Sequence, residues 1–192
     1  MRPSRRWLPL VAAAAAALLA GCAGPKYTVD DGRPVNPQLL DNLRVYGQGE
    51  QILRPAIRRA AGLNDPECDR QWEPPFTLAS SKGWEENDRV AWVRALGVDE
   101  RLTVIATSAD SPLKKGARVT DIDGYTSSDP ADLLEQLARL RDRGAPFELN
   151  TKTGQPVKVQ PFEVCRGYAR LAPPNTPELQ EYHWLMSYHP LE

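Results

Sequence analysis

Three cysteines, two histidines and several paired carboxylates are the residues of this 192-residue chain that could do covalent, metal or acid–base chemistry. The cysteines are Cys22, Cys68 and Cys165. None stands in a CxxC pair, and no nearby histidine or helix start offers to stabilise a thiolate, which argues against a nucleophilic thiol. A peptidase-type zinc centre needs two histidines one helical turn apart, with a glutamate beside the first to activate the bound water. His183 and His189 are six residues apart and neither precedes a glutamate. A serine nucleophile would have only those two histidines for a base. The pairs Glu85-Glu86 and Asp121, Asp123 read as solvated loop and turn residues rather than as an acid and a base. The expectation is therefore no catalytic residue, no metal ligand and no cofactor.

Cys22 follows a leader with Arg2, Arg5 and Arg6, then an uncharged run that includes six alanines. This is the charged and apolar pattern of a secretory signal, too short to span a bilayer with ease. Leu19-Ala20-Gly21-Cys22 resembles the bacterial lipobox, and the resemblance implies cleavage before Cys22, acylation of its sulfur and amine, and permanent attachment to a membrane. An ordinary signal that leaves Cys22 a spare thiol is the alternative. Ala23, where an aspartate would retain the protein at the inner membrane, implies the outer membrane, with the protein facing the periplasm.

Without residues 1–21 the chain has 171 residues, 21 basic and 25 acidic, a net charge of −4. That is one domain with appendages, and it lacks the basic block that nucleic acid would require. In an oxidising compartment Cys68 and Cys165 form an even pair that would close a loop of about 100 residues. Two buried thiols are the alternative.

These groups must be positioned by a chain punctuated by 18 prolines, clustered at 25–37, 66–75 and 173–177. Residues 22–36 read as a tether. Residues 37–64 read as a helical segment capped by Asn36 and started by Pro37, and Gly47, Gly49 and Pro55 predict a kink or a break in it. Arg44, Arg54, Arg58 and Arg59 read as its solvated face. Beyond a loop at 66–75, the period turns toward two. Residues 76–79 form a candidate strand, 89–93 are equally readable as helix or strand, and 101–107 form a strand with Leu102, Val104 and Ala106 on one side. Another strand, 117–121, ends at the turn Asp123-Gly124. Asp129 then caps a helix that opens with Pro130, carries Leu133, Leu134, Leu137 and Leu140 on one face, and closes at Gly144. Residues 147–150 and 157–160 predict a hairpin.

Residues 102–162 resemble a PDZ domain of the bacterial, protease-associated kind. The resemblance rests on a strand followed by Ser111-Pro112-Leu113-Lys114-Lys115-Gly116-Ala117-Arg118-Val119, a shortened form of that family's corner. It continues through Asp121-Ile122-Asp123-Gly124, the capped helix and the closing hairpin. It implies an α+β fold for residues 72–168, a PDZ-like small β-barrel or sandwich with a capping helix. It also implies a groove for an extended peptide, with Ala95-Leu96-Gly97-Val98 nearest to a carboxylate-binding loop and Leu102, Val104, Ala106, Leu133 and Leu137 lining the groove or filling the core. The leading helix, the two cysteines and the "ALGV…LTVIA…SP" run are similar to the amino-terminal, non-catalytic half of secreted or lipid-anchored HExxH zinc peptidases.

Residues 169–192 read as a proline-rich linker and a helix crowded with Leu179, Tyr182, Trp184, Leu185, Met186 and Tyr188, which should pack on its own domain, another chain or a following domain. Three functions compete: a lipid-anchored protein-binding or scaffold module, the regulatory half of a metallopeptidase, and a structural envelope lipoprotein with a closed groove. The expected partners are the membrane, through Cys22, and a protein or peptide, through the groove or the aromatic tail.

Overall fold

A computed structural model describes residues 27–63, 66–152 and 154–165. The lipobox at Cys22, both histidines and the aromatic tail lie outside the described residues.

Helix α1, Pro37–Ala60, starts as its sequence dictates: the Asn36 side chain accepts hydrogen bonds from the backbone of Gln38 and Leu39, and Pro37 supplies the first helical position. The expected kink or break does not divide it, and one helix of 24 residues runs through Gly47, Gly49 and Pro55. Gly47 is instead a contact point, where a Cβ would lie 2.3 Å from Cδ2 of Leu96 in the next helix. The missing side chain lets two helices approach closely; it does not interrupt one.

Strands β1, Arg70–Glu73, and β2, Phe76–Ala79, follow a short 3₁₀ turn at Ala61–Leu63. The ambiguous segment 89–93 lies inside helix α2, Glu86–Leu96. Glu86 and Asp88 in its first turn, Arg94 in its last and left-handed Gly97 beyond it decide the matter. Next come β3, Thr103–Thr107, β4, Val119–Ile122, and helix α3, Pro130–Asp142. The Asp129 side chain accepts from the Ala131 amide to cap α3, and Gly144 follows its end at φ +66°. Strands β5, Phe147–Thr151, β6, Val157–Val159, and β7, Phe162–Cys165, complete the described chain. After β4, Asp123 and Gly124 both have positive φ, the two-residue turn whose twist suits a tight reversal.

The fold is α+β, with three α-helices among the described residues and antiparallel pairing throughout. The barrel or sandwich expected from the sequence does not close. Its strands, three to five residues long, fall into separate sheets: β1–β7, β2–β3 and β4–β5–β6. Two large cores lie on either side of β3. On one side Leu102 and Val104 join Phe76, Ile122, Leu133, Leu137 and Leu149. On the other, Ile105 joins Leu39, Leu43 and Tyr46 of α1 with Trp92 and Val98. Helix α1 thus shares a core with the strands that follow it.

Candidate functional site

Strand β3 cannot take an added strand. Residues 76–79 pair with one edge, and the other is engaged through the Thr103–Arg118 bridge, with the Val104 amide donating to Ala117 and the Val119 amide to Leu102, each at 2.9 Å. This corrects the reading that residues 101–107 keep an open edge. The reason is that β3 is a central element between two cores, so both its faces are buried and both its edges are used. Val104 and Ala106 accordingly lie in the interior, at 1% and 0% exposure.

Gly97 and Val98 do not form a carboxylate-binding loop either. Gly97 is the left-handed cap of α2, donating to the Val93 carbonyl at 2.8 Å, and the Val98 amide points to Trp92 O at 3.5 Å. Those two N–H groups serve the helix end, and the Val98 side chain is fully buried.

Among the described residues β2 pairs with β3 on one side only, as the other outer strands β1, β7 and β6 each pair with a single strand; the β2 edge is the one that faces α3. Beside it lies a cleft of about 260 Å³ bounded by Thr77 and Leu78 of β2, Leu134, Leu137 and Arg141 of α3, and Leu53 and Ile57 of α1. Leu137 is therefore both core and cleft wall. Leu134, 39% exposed, points away from the Leu133–Leu137–Leu140 face by one residue step, about 100° around the helix. This departs from the single face of four leucines expected from the sequence, and the i+1 offset of Leu134 from Leu133 is the sequence signal for its separate position. Leu133 and Leu102 line a second cleft of about 490 Å³, whose rim carries Arg89, Arg101 and Arg118.

The β2 cleft is built on a buried ionic network. Arg54, expected on a solvated face, is 9% exposed, and Glu50 and Glu73 are 4% and 3% exposed. Arg54 Nη1 donates to Glu73 Oε2 at 3.1 Å, and its Nε donates to Thr77 Oγ1 at 3.1 Å. The Thr77 hydroxyl in turn donates to Glu50 Oε2 at 2.6 Å. Arg54 Nη1 also reaches the Pro74 carbonyl, at 3.4 Å. One guanidinium thus joins α1 to the end of β1 and to β2. Burial pushes the neighbouring Tyr46 phenol well above its ordinary range, and the Glu50 charge adds to the shift.

At the far end of β3, Asp99 braces the turn from α2. Burial pushes its carboxyl up, but Arg101, bonded to both its oxygens, and Arg118 at 3.1 Å more than offset this, so Asp99 titrates below the usual carboxylate range. Its contribution to stability is complete above the unfolded-state value near 4 and is lost as the pH falls through the lower folded-state value. Denaturant titrations at pH 7 and pH 3 should therefore show an acid-induced loss that is smaller in Asp99→Asn. An identical pH dependence in the variant would contradict this role.

The expected pair of cysteines is joined. Cys68 and Cys165 form a disulfide, Cα atoms 5.6 Å apart and 97 residues apart in sequence, directly beside the Arg70–Cys165 register pair of β1 and β7. Among the described residues no group of three or more histidine, cysteine, aspartate and glutamate side chains is arranged to hold a metal ion, and no helix is long and apolar enough to cross a membrane. No protein-family model matches the chain, and no curated protein matches it.

Proposed function

We propose that this protein is a lipid-anchored, periplasmic protein-binding module, PDZ-like in plan and without catalysis of its own, attached to the outer membrane through acylated Cys22. The observation that carries the reading is the edge of β2 that no other described strand pairs with, beside the exposed Leu134 and the partly exposed cleft below it. An extended segment adding to β2 would gain main-chain hydrogen bonds, while side chains entering between β2 and α3 would supply selectivity. The Cys68–Cys165 disulfide supports an oxidising compartment.

The ligand is an internal stretch of a partner rather than a free carboxyl terminus. Capture of a terminal carboxylate calls for a nest of backbone N–H donors. Pro74 and Pro75, immediately before β2, have no N–H to offer, and those of Gly97 and Val98 are spent on α2.

Leu134→Arg tests this. The side chain is exposed, so the charge costs little stability, yet it would stand in the path of an added strand. Peptides selected from a displayed library on the wild-type protein should bind the variant at least tenfold more weakly, with circular dichroism unchanged. Equal binding by the folded variant would remove the β2 cleft from the account and favour the structural-lipoprotein reading, which already draws support from the closed edges of β3.

A further inference from the structure

We propose that the cleft between the β3–β4 edge and the start of α3 binds a small amphipathic anion, a carboxylate or phosphate head on an apolar body. The cleft holds about 490 Å³, within the size range of small-molecule pockets. It shares no lining residue with the β2 cleft, so the inference stands apart from peptide binding. Leu102, Val119, Pro130 and Leu133 are buried and form its floor. Tyr27 forms one wall, where the Arg101 guanidinium lies 3.9 Å from its ring centre.

The charges around this apolar floor do not balance. Lys82, Arg89, Arg101 and Arg118 all line the cleft. Lys82 is paired with Asp129 at 2.8 Å, and Arg89 stands 3.5 Å from Glu100, whose carboxylate already accepts from the Thr28 amide and hydroxyl. Arg101 and Arg118 share a single carboxylate, that of Asp99. Among the described residues, four cations thus face three carboxylates. Arg118 is the least satisfied of the four. It gives Asp99 one bond, from Nη2 at 3.1 Å, and its Nε, shut off from water, has no acceptor among the described residues. Its side chain is still 34% exposed, so an anion can reach the guanidinium and supply both the missing acceptor and the missing charge. Ser128, exposed at the mouth of the cleft, adds a hydroxyl that can donate to the same head group. An added peptide strand is not the ligand here, because the Leu102 carbonyl already accepts from the Val119 amide. A bare inorganic anion would leave the floor to water, and a purely apolar ligand would leave the surplus charge unpaired. A ligand with both parts answers the cleft.

Isothermal titration of hexyl phosphate into the purified full-length protein tests this, with folding followed by circular dichroism. Saturable binding is expected, weakened at least about tenfold in Arg118→Gln and in Ser128→Asp. Arg101 still holds Asp99 in the first variant, and Ser128 is exposed, so the second keeps the test decisive if the first does not fold. Lys115→Gln, exposed and outside the cleft, should bind like the wild type. Inorganic phosphate and hexyltrimethylammonium each lack one half of the ligand and should bind at least about tenfold more weakly than hexyl phosphate. Displacement of hexyl phosphate by dihexanoylphosphatidylglycerol would assign the head group to a membrane lipid, and displacement by hexanoate but not by that lipid would assign it to a free acid; either result upholds the cleft. Equal binding of either control compound, equal binding by either folded cleft variant, or no saturable binding of hexyl phosphate would overturn the proposal.

Discussion

Replacing Arg54 with methionine should cost about 3–5 kcal/mol of folding stability, the usual effect of removing one partner of a buried ion pair. Methionine keeps most of the side-chain volume, so packing is not the cause. What remains is Glu73, 3% exposed and without the Arg54 guanidinium, while Thr77 loses the donor that holds its hydroxyl toward Glu50. The double variant Arg54→Met/Glu73→Gln should recover a large part of the loss, because a neutral amide costs far less to bury than a carboxylate. Guanidinium denaturation of the wild type and the two variants measures both effects. A loss below about 1 kcal/mol in the single variant, within the range of an exposed pair, would mean that Arg54 does not tie α1 to β2.

Removing the disulfide, as Cys68→Ala/Cys165→Ala, should cost a similar amount, about 2–5 kcal/mol. Loop-closure entropy alone accounts for roughly 4–5 kcal/mol when the closed loop is near 100 residues. The damage should begin locally. Among the described residues the β1–β7 pair packs on the small core of Ile57, Phe162 and Val164, with Leu53 and Ala61 beside it, and an exposed Arg70–Glu163 pair bridges the two strands. Glu73 ends β1 and anchors Arg54, so fraying of β1 would propagate to the floor of the β2 cleft. Amide exchange should accelerate first in residues 70–73 and 162–165, and a reducing agent should have the same effect on the wild type but none on the variant. Uniform destabilisation across the fold would contradict a local role.

What could be read from the sequence was local. Asn36-Pro37 and Asp129-Pro130 set helix starts through their own backbone and side-chain chemistry, and Asp123-Gly124 and Gly144 set turns through positive φ. Strands β1 and β7 are not legible in the sequence because Arg70-Gln71-Trp72-Glu73 has no apolar alternation, and its partner strand lies about 90 residues away. The burial of Arg54 is hidden for the same reason. Periodicity assigns arginine to water, and only the arrival of Glu73 and Thr77 from other elements makes its burial tolerable. Gly47 shows the converse error: a residue with weak helix propensity reads as a break until the approach of Leu96 gives the glycine a reason. The sequence marks a strand at 101–107, which the structure places at Thr103–Thr107, but it does not mark which of its edges are used, because edge occupancy is decided by residues 76–79 and 116–119.

The central claim is that an extended segment of a partner adds to the outer edge of β2, and amide hydrogen exchange with a library-selected peptide tests it most directly. Saturating peptide should slow exchange of amides in residues 76–79 and alter the environment of Leu134 and Leu137, because new main-chain hydrogen bonds form along that edge. Binding that leaves residues 76–79 unchanged while protecting another surface would contradict the account.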